Sequence, residues 1–316
     1  ARAVRPFLRE FLSDRRIVET HPLLWRPVLE GIILRVRPRA SAAKYATIWR
    51  PGEETSRSGS PLMHYSERQG ELLQEELGES VQVRIAMRYG QPALRRVMGE
   101  LMEAGCRRIA LIPLYPQYAA SSAGTVVDEA ARFILASRNQ PELRTIRSFE
   151  TAPAYIEALA TALEQHWQVH GRPDPAAGER LLLSFHSIPQ AMHDAGDPYR
   201  SQCERTAQLL SRRLNLPKGL AQLTFQSVFG PAAWIGPATI DTVGELGRAG
   251  CPRLDVICPG FVSDCLETLE EINQLNRETF TTAGGGSFHY VPWGNDSDGA
   301  IAALAQQARK VLAGWI

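Results

Sequence analysis

The sequence predicts an α/β protein of two similar Rossmann-like domains, each a small parallel sheet flanked by helices. Short β-branched apolar runs alternate with amphipathic stretches along most of the 316 residues, the pattern of βαβ units. One segment also recurs. Gly99-Glu100-Leu101-Met102-Glu103-Ala104-Gly105-Cys106 is echoed 145 positions later by Gly244-Glu245-Leu246-Gly247-Arg248-Ala249-Gly250-Cys251, and each copy leads into an apolar run that ends at proline. Upstream, Ile85-Ala86-Met87-Arg88-Tyr89-Gly90 parallels Thr224-Phe225-Gln226-Ser227-Val228-Phe229-Gly230, a strand followed by an aromatic-Gly turn. Right-handed crossovers then point the strand carboxyl ends of both halves into one crevice.

Taken in order, apolar periodicity predicts helices over 61–77, 91–104, 123–137, 152–168, 199–214, 236–249, 262–279 and 298–314. Between them, strands fall near 83–88, 108–114, 143–148, 180–186, 223–228, 253–258 and 287–292. The first domain spans 1–150 and the second 151–295, with a junction near Ala152-Pro153 and the last helix, 296–316, packing back on the first domain. Gly52 to Gly59 reads as a flexible surface loop, and Asp174-Pro175-Ala176-Ala177-Gly178 links the 152–168 helix to the next strand.

A formal net charge of +1 gives no bulk field toward nucleic acid. No apolar run reaches the roughly 18 residues that span a bilayer, and the N-terminal stretch shows no signal pattern, so the expected location is the cytoplasm. Cys106, Cys203, Cys251, Cys258 and Cys265 contain no CxxC pair, which argues against a zinc knuckle, an iron–sulfur cluster or a disulfide framework.

The chemistry concentrates at two strand ends. The buried run Leu254-Asp255-Val256-Ile257 breaks at Cys258-Pro259-Gly260 and opens a helix, capped by Ser263 or Asp264, with Asp264, Glu267 and Glu271 at i, i+3 and i+7. Carboxylates on one helix face raise each other's pKa, so the face either handles protons, binds a cation or is simply a solvated surface. The second strand end is Leu181-Leu182-Leu183-Ser184-Phe185-His186-Ser187-Ile188-Pro189, which projects His186 toward the same crevice. His21, His64, His166, His170, His193 and His289 read as surface or packing residues.

These segments together resemble the ferrochelatases: Leu183 to Pro189, Gly196-Asp197-Pro198-Tyr199, Gln226-Ser227 to Gly230-Pro231 with Trp234, and Pro259 to Leu269. Leu12 to Arg16, Ser60-Pro61-Leu62, Arg88-Tyr89-Gly90 and Tyr115-Pro116-Gln117-Tyr118 extend the likeness through the first half, closest to the Gram-negative bacterial branch. The resemblance implies a class II chelatase-like fold and insertion of Fe²⁺ into protoporphyrin IX, the terminal step of haem synthesis. It also implies that His186 and Glu267 form the insertion centre and share the roles of base and metal ligand, in an order the sequence leaves open, with Asp264 and Glu271 as a proton or metal path. Arg35, Arg37, Tyr45, Ser60, Arg88, Tyr115, Tyr118 and Trp234 are the porphyrin-binding candidates. Fe²⁺ is a substrate, no cofactor is expected to stay bound, and cysteines that hold an iron–sulfur cluster in some members have no counterpart here. The alternatives are a chelatase for another pair, such as a cobalt chelatase or a coproporphyrin ferrochelatase, and a non-catalytic porphyrin or haem carrier.

The run from His21 through Trp25, Ile32, Ile33 and Leu34 to Arg35, Arg37 and Arg39 corresponds by resemblance to the family's hydrophobic lip. An apolar lip with adjoining cations suits reversible docking on an anionic bilayer, at the inner face of the membrane. Protein partners are not legible. Two departures stand out. Family members open with a short apolar strand, whereas Ala1-Arg2-Ala3-Val4 already reads as the helix that follows it; and a basic residue and Asp are replaced here by Val228 and Ile240, a double loss of charge that is nearly neutral if the two pair in relatives.

Overall fold

The computed structural model describes residues 4–51 and 59–316. The predicted 52–59 loop, apart from Gly59, and Ala1 to Ala3 therefore lie outside the described residues. Helix α1 (Val4–Leu12) is followed by one long helix, made of α2 (Pro22–Val28), a π-helical turn (Leu29–Ile33) and α3 (Leu34–Ile48). Next come α4 (Pro61–Leu77), α5 (Leu94–Glu103), β1 (Arg108–Leu111), α6 (Thr125–Ala136) and β2 (Glu142–Thr145). The second half runs α7 (Pro153–His170), β3 (Arg180–His186), α8 (Gln190–Asp194), α9 (Tyr199–Arg213), β4 (Ala221–Gln226), α10 (Thr239–Arg248) and β5 (Arg253–Ile257). A π-helical segment (Glu267–Asn276) then passes directly into α11 (Arg277–Thr282), before β6 (Ser287–Val291) and α12 (Asp298–Leu312).

The strands form two parallel sheets, β1-β2 and β4-β3-β5-β6. The central strands of the larger sheet are apolar on both faces because helices cover both. Leu181, Leu183 and Phe185 of β3 pack with Tyr155, Leu159 and Leu163 of α7. Leu182 points the other way, into a cluster with Leu254, Val256, Val243, Phe280 and Phe288, as the two-residue period of a strand requires. Helix α12 packs on α7 and α4 and touches β1.

The predicted repeat has a structural counterpart. Met87 bridges Ala93 just before α5, and Phe225 bridges Ala238 just before α10, each pairing enclosing a cis Xaa-Pro peptide. The predicted strand at 83–88 does not form. Residues 83–87 run extended, yet beyond the Met87–Ala93 bridge no described strand lies alongside to complete a ladder, and Val83 N–H turns instead to Gln74 Oε1 at 2.8 Å. The helix predicted at 262–279 starts later. Residues 258–265 are held as a loop by the bonds described next, and the helical turn opens at Leu266.

Candidate active site

The carboxyl end of the larger sheet is wired before any side chain reaches the crevice. In register, His186 at the end of β3 sits opposite Gln226 at the end of β4. Ser184 Oγ donates to Gln226 Oε1 at 2.7 Å, and Gln226 Nε2 donates to the Glu267 carbonyl at 2.7 Å, so the strand ends fix the first turn of the π-helical segment. The loop after β5 is pinned from several directions. Tyr155 Oη donates to the Pro259 carbonyl at 2.8 Å, and Trp293 Nε1 to the Cys258 carbonyl at 2.9 Å. From the first half, Gln69 of α4 donates to the carbonyls of Val262 at 3.0 Å and Asn295 at 2.7 Å. Ligands of open α/β sheets bind at this edge, and π-helical turns recur at functional sites.

Three of the expected groups face the same space. His186 Nδ1 lies 2.6 Å from the Ser187 carbonyl; a carbonyl only accepts, so Nδ1 carries a proton and the neutral form of the ring has its lone pair on Nε2. Glu271 is clasped by Ser227, whose N–H and Oγ each donate at 2.6 Å. Burial raises the Glu271 pKa, the Glu267 charge adds to the rise, and the Ser227 bonds and His186 offset part of it. Glu267 completes the group, with the Tyr45 phenol nearby; burial first and the Glu267 charge second push that phenol above its usual range. Glu270, one residue from Glu271, pairs with Lys44 of α3 at 2.9 Å.

His186, Glu267, Glu271, Tyr45, Tyr115 and Trp234 all line one cavity of about 1350 Å³ that runs between the halves. Arg37 and Arg88 line it too. The Arg37 guanidinium lies 5.2 Å over the Phe229 ring, whereas Arg88 is bound to the buried Asp14 carboxylate and donates to the Thr125 carbonyl at 2.8 Å. Val228, a site of departure from the family pattern, is half exposed on the cavity wall.

Four expected residues stand elsewhere. Asp264 is buried behind the wall, where its carboxylate accepts from Thr268 Oγ1 at 2.7 Å, Tyr290 Oη at 2.5 Å and Asn295 Nδ2 at 2.7 Å. Those three donors use it as an anchor for the loop; the i, i+3 spacing on which it shared a face with Glu267 holds only within a helix, and the helix has not yet begun at 264. Tyr118 lies under the Arg147 guanidinium at 4.4 Å, Ser60 holds the N-cap position of α4 without a side-chain cap bond, and Arg35 is exposed on α3. None of the four is among the residues lining the cavity. In the sequence Gln226-Ser227 stands only as part of the family motif, with no role for either residue, and Lys44 is not singled out. Ser227 adopts φ 64°, an uncommon backbone for a residue other than glycine, and nothing in its spacing marks it as the partner of Glu271.

The Ferrochelatase family profile matches residues 1–312. Curated relatives named "Ferrochelatase" include one from Aromatoleum aromaticum, 49% identical over 320 residues, and one from Dechloromonas aromatica, 48% identical over 318; each match covers all of this chain and 85% and 84% of those proteins. Another, from Chromobacterium violaceum, is 46% identical over 319 residues, across all of this chain and 85% of that protein. Among solved structures, "SirB from Bacillus subtilis with Fe3+" superposes with a TM-score of 0.57 at 16% identity, covering 81% of this chain and 93% of that one, a likeness of fold. With a profile match over almost its full length and relatives at nearly half identity, this chain belongs to the ferrochelatase family.

Proposed function

We propose that the chain inserts Fe²⁺ into protoporphyrin IX, releasing two protons and forming protohaem. The observation that carries the reading is the meeting of His186, Glu267 and Glu271 at the wall of one large, mainly apolar cavity. Insertion needs a ligand for iron as it sheds water and a base for the pyrrole protons. His186 Nε2 offers a neutral imidazole lone pair beside carboxylate oxygens, a donor set suited to Fe²⁺. Glu271, with its pKa raised by burial, suits a base that takes up a pyrrole proton and passes it on. Tyr115, Tyr45, Trp234 and Phe261, whose ring centroid lies 6.4 Å from that of His186, supply flat apolar surface for the macrocycle. Arg37 is placed to meet a propionate at the rim. Anaerobic turnover with Fe²⁺, comparing protoporphyrin IX with coproporphyrin III, tests this: metallation of protoporphyrin at the higher kcat/KM is expected, and tight porphyrin binding without turnover would point to a carrier.

The substrate partitions into membranes, and the lip is built to follow it. No described helix is long and apolar enough to cross a membrane. Leu23, Leu24, Ile32 and Val36 are nevertheless 77, 70, 58 and 67% exposed, with Arg35 and Arg39 exposed on the same helix. Apolar side chains that insert shallowly beside cations that meet anionic headgroups describe a peripheral docking face.

A further inference from the structure

We infer that the opposite end of the larger sheet holds a second metal site, a structural one for a divalent cation of the zinc class, built from His166, His289 and Asp255. The three come from α7, β6 and β5, and their ligand atoms all lie within 4.8 Å of one another. Asp255 Oδ1 is 3.0 Å from His289 Nδ1 and 3.6 Å from His166 Nε2. Zinc bonds of about 2.0–2.2 Å in a tetrahedron place neighbouring ligand atoms about 3.3–3.5 Å apart, so the two spacings bracket what one ion needs.

His166 Nε2 is buried without a hydrogen-bond partner. A buried nitrogen in that state calls for an ion or a water, and it faces the carboxylate that an ion would share. Asp255 itself is fully buried and already oriented: Arg253 donates to Oδ1 from Nε at 2.9 Å and to Oδ2 from Nη2 at 2.8 Å, and Trp167 Nε1 to Oδ2 at 2.9 Å. Such outer contacts hold a ligating carboxylate in place. They also neutralise it, which disfavours oxygen-seeking Mg²⁺ or Ca²⁺ and leaves imidazole nitrogen as the main source of affinity. The exposed His170, its ring centroid 4.5 Å from His166 and 4.6 Å from His289, stands beside the remaining position.

The site is separate from the active centre. Asp255 pairs in register with Leu181, five residues before His186, and at about 3.3 Å per residue the two lie about 16 Å apart along the sheet. An ion there would clip α7 to β5 and β6, a stabilising role independent of substrate iron.

Metal-stripped protein titrated with Zn²⁺ by calorimetry, and with Co²⁺ by visible absorption, reads the site directly. Wild type and His186→Ala are both expected to bind an equivalent that His289→Gln and His166→Gln lose, with at least a tenfold drop in affinity and no tetrahedral Co²⁺ bands. Zn²⁺ should raise the Tm of wild type and leave that of His289→Gln unmoved, while His289→Gln metallates porphyrin at the wild-type rate. His289 is a quarter exposed, so its variant carries the test should His166→Gln fail to fold. Unchanged stoichiometry in His289→Gln, or loss of every equivalent in His186→Ala, overturns the inference.

Discussion

At the end of its extended run the first half carries Arg88, locked to Asp14 and the Thr125 carbonyl, whereas the corresponding end in the second half carries Gln226 and Ser227, which hold Glu267 and Glu271. Helix α5 after the first turn and α10 after the second share the recurring Gly-Glu-Leu segment, so the scaffold is common and the strand-end side chains differ. In one half they spend their polar groups on each other; in the other they leave the His186 imidazole and a half-buried carboxylate turned toward a cavity. On the proposed function the two similar halves thus share the cavity wall while the second alone supplies the reactive groups, and substitutions on the two sides should fail differently.

The largest effect belongs to His186. Among the described residues its one side-chain hydrogen bond goes to the neighbouring Ser187 carbonyl, so truncation opens no core. His186→Ala should lower kcat for metallation on the order of 100-fold or more, since it removes a nitrogen ligand for iron and loss of even an outer-shell partner typically costs about 10–100-fold, with porphyrin affinity and Tm nearly unchanged. A variant that melts at ordinary temperature would assign His186 to the fold instead.

Next come the carboxylates. Glu267→Gln and Glu271→Gln should each reduce kcat at least tenfold more than Glu270→Gln, because Glu270 is engaged by Lys44. Equal losses at all three positions would dissolve the distinction. The Ser227 clasp refines the test. Its two hydrogen bonds favour the ionised form of Glu271, so Ser227→Ala raises the Glu271 pKa further. If Glu271 must be ionised to accept a proton, activity falls as pH drops through that pKa, and the acid limb of the kcat profile moves to higher pH in Ser227→Ala. An acid limb that stays put or moves down removes Glu271 from the rate-determining ionisation.

Most of this was legible along the chain, and the failures have physical causes. The helices and second-half strands follow apolar periodicity, and His186 is visible because a histidine ends an otherwise apolar strand. The 83–88 strand was misread because periodicity reports burial, while a strand also needs a partner for its backbone. Asp264 was misplaced since i, i+3 spacing means a shared face only inside a helix. His166 and His289 read in the sequence as surface or packing residues and Asp255 as part of a buried strand, with nothing to join the three. They lie 89 and 34 residues apart along the chain, and only the packing of α7 across β5 and β6 brings them together.

The smallest effect should come from the lip, where the first half exposes apolar side chains and cations together. Arg35 and Arg39 are four residues apart on α3, and Ile32, in the π-helical turn before it, and Val36 are exposed beside them, so cations and apolar side chains share one stretch of surface. Each cation close to an anionic bilayer contributes on the order of 1 kcal/mol, so replacing both Arg35 and Arg39 by Gln should weaken binding to anionic vesicles roughly 30-fold. Salt should erase most of the difference, because the attraction fades over a Debye length of about 8–10 Å. With porphyrin supplied in vesicles the apparent KM should rise, and in detergent kcat should stay within about twofold of wild type. Arg37 separates the two roles on one helix. It lines the cavity beside Phe229, so Arg37→Gln should raise the porphyrin KM in detergent as well, where no bilayer is present. If Arg37→Gln and the Arg35→Gln/Arg39→Gln pair behave alike in both media, lip and pocket are one surface, and the division between docking and substrate binding drawn along α3 fails.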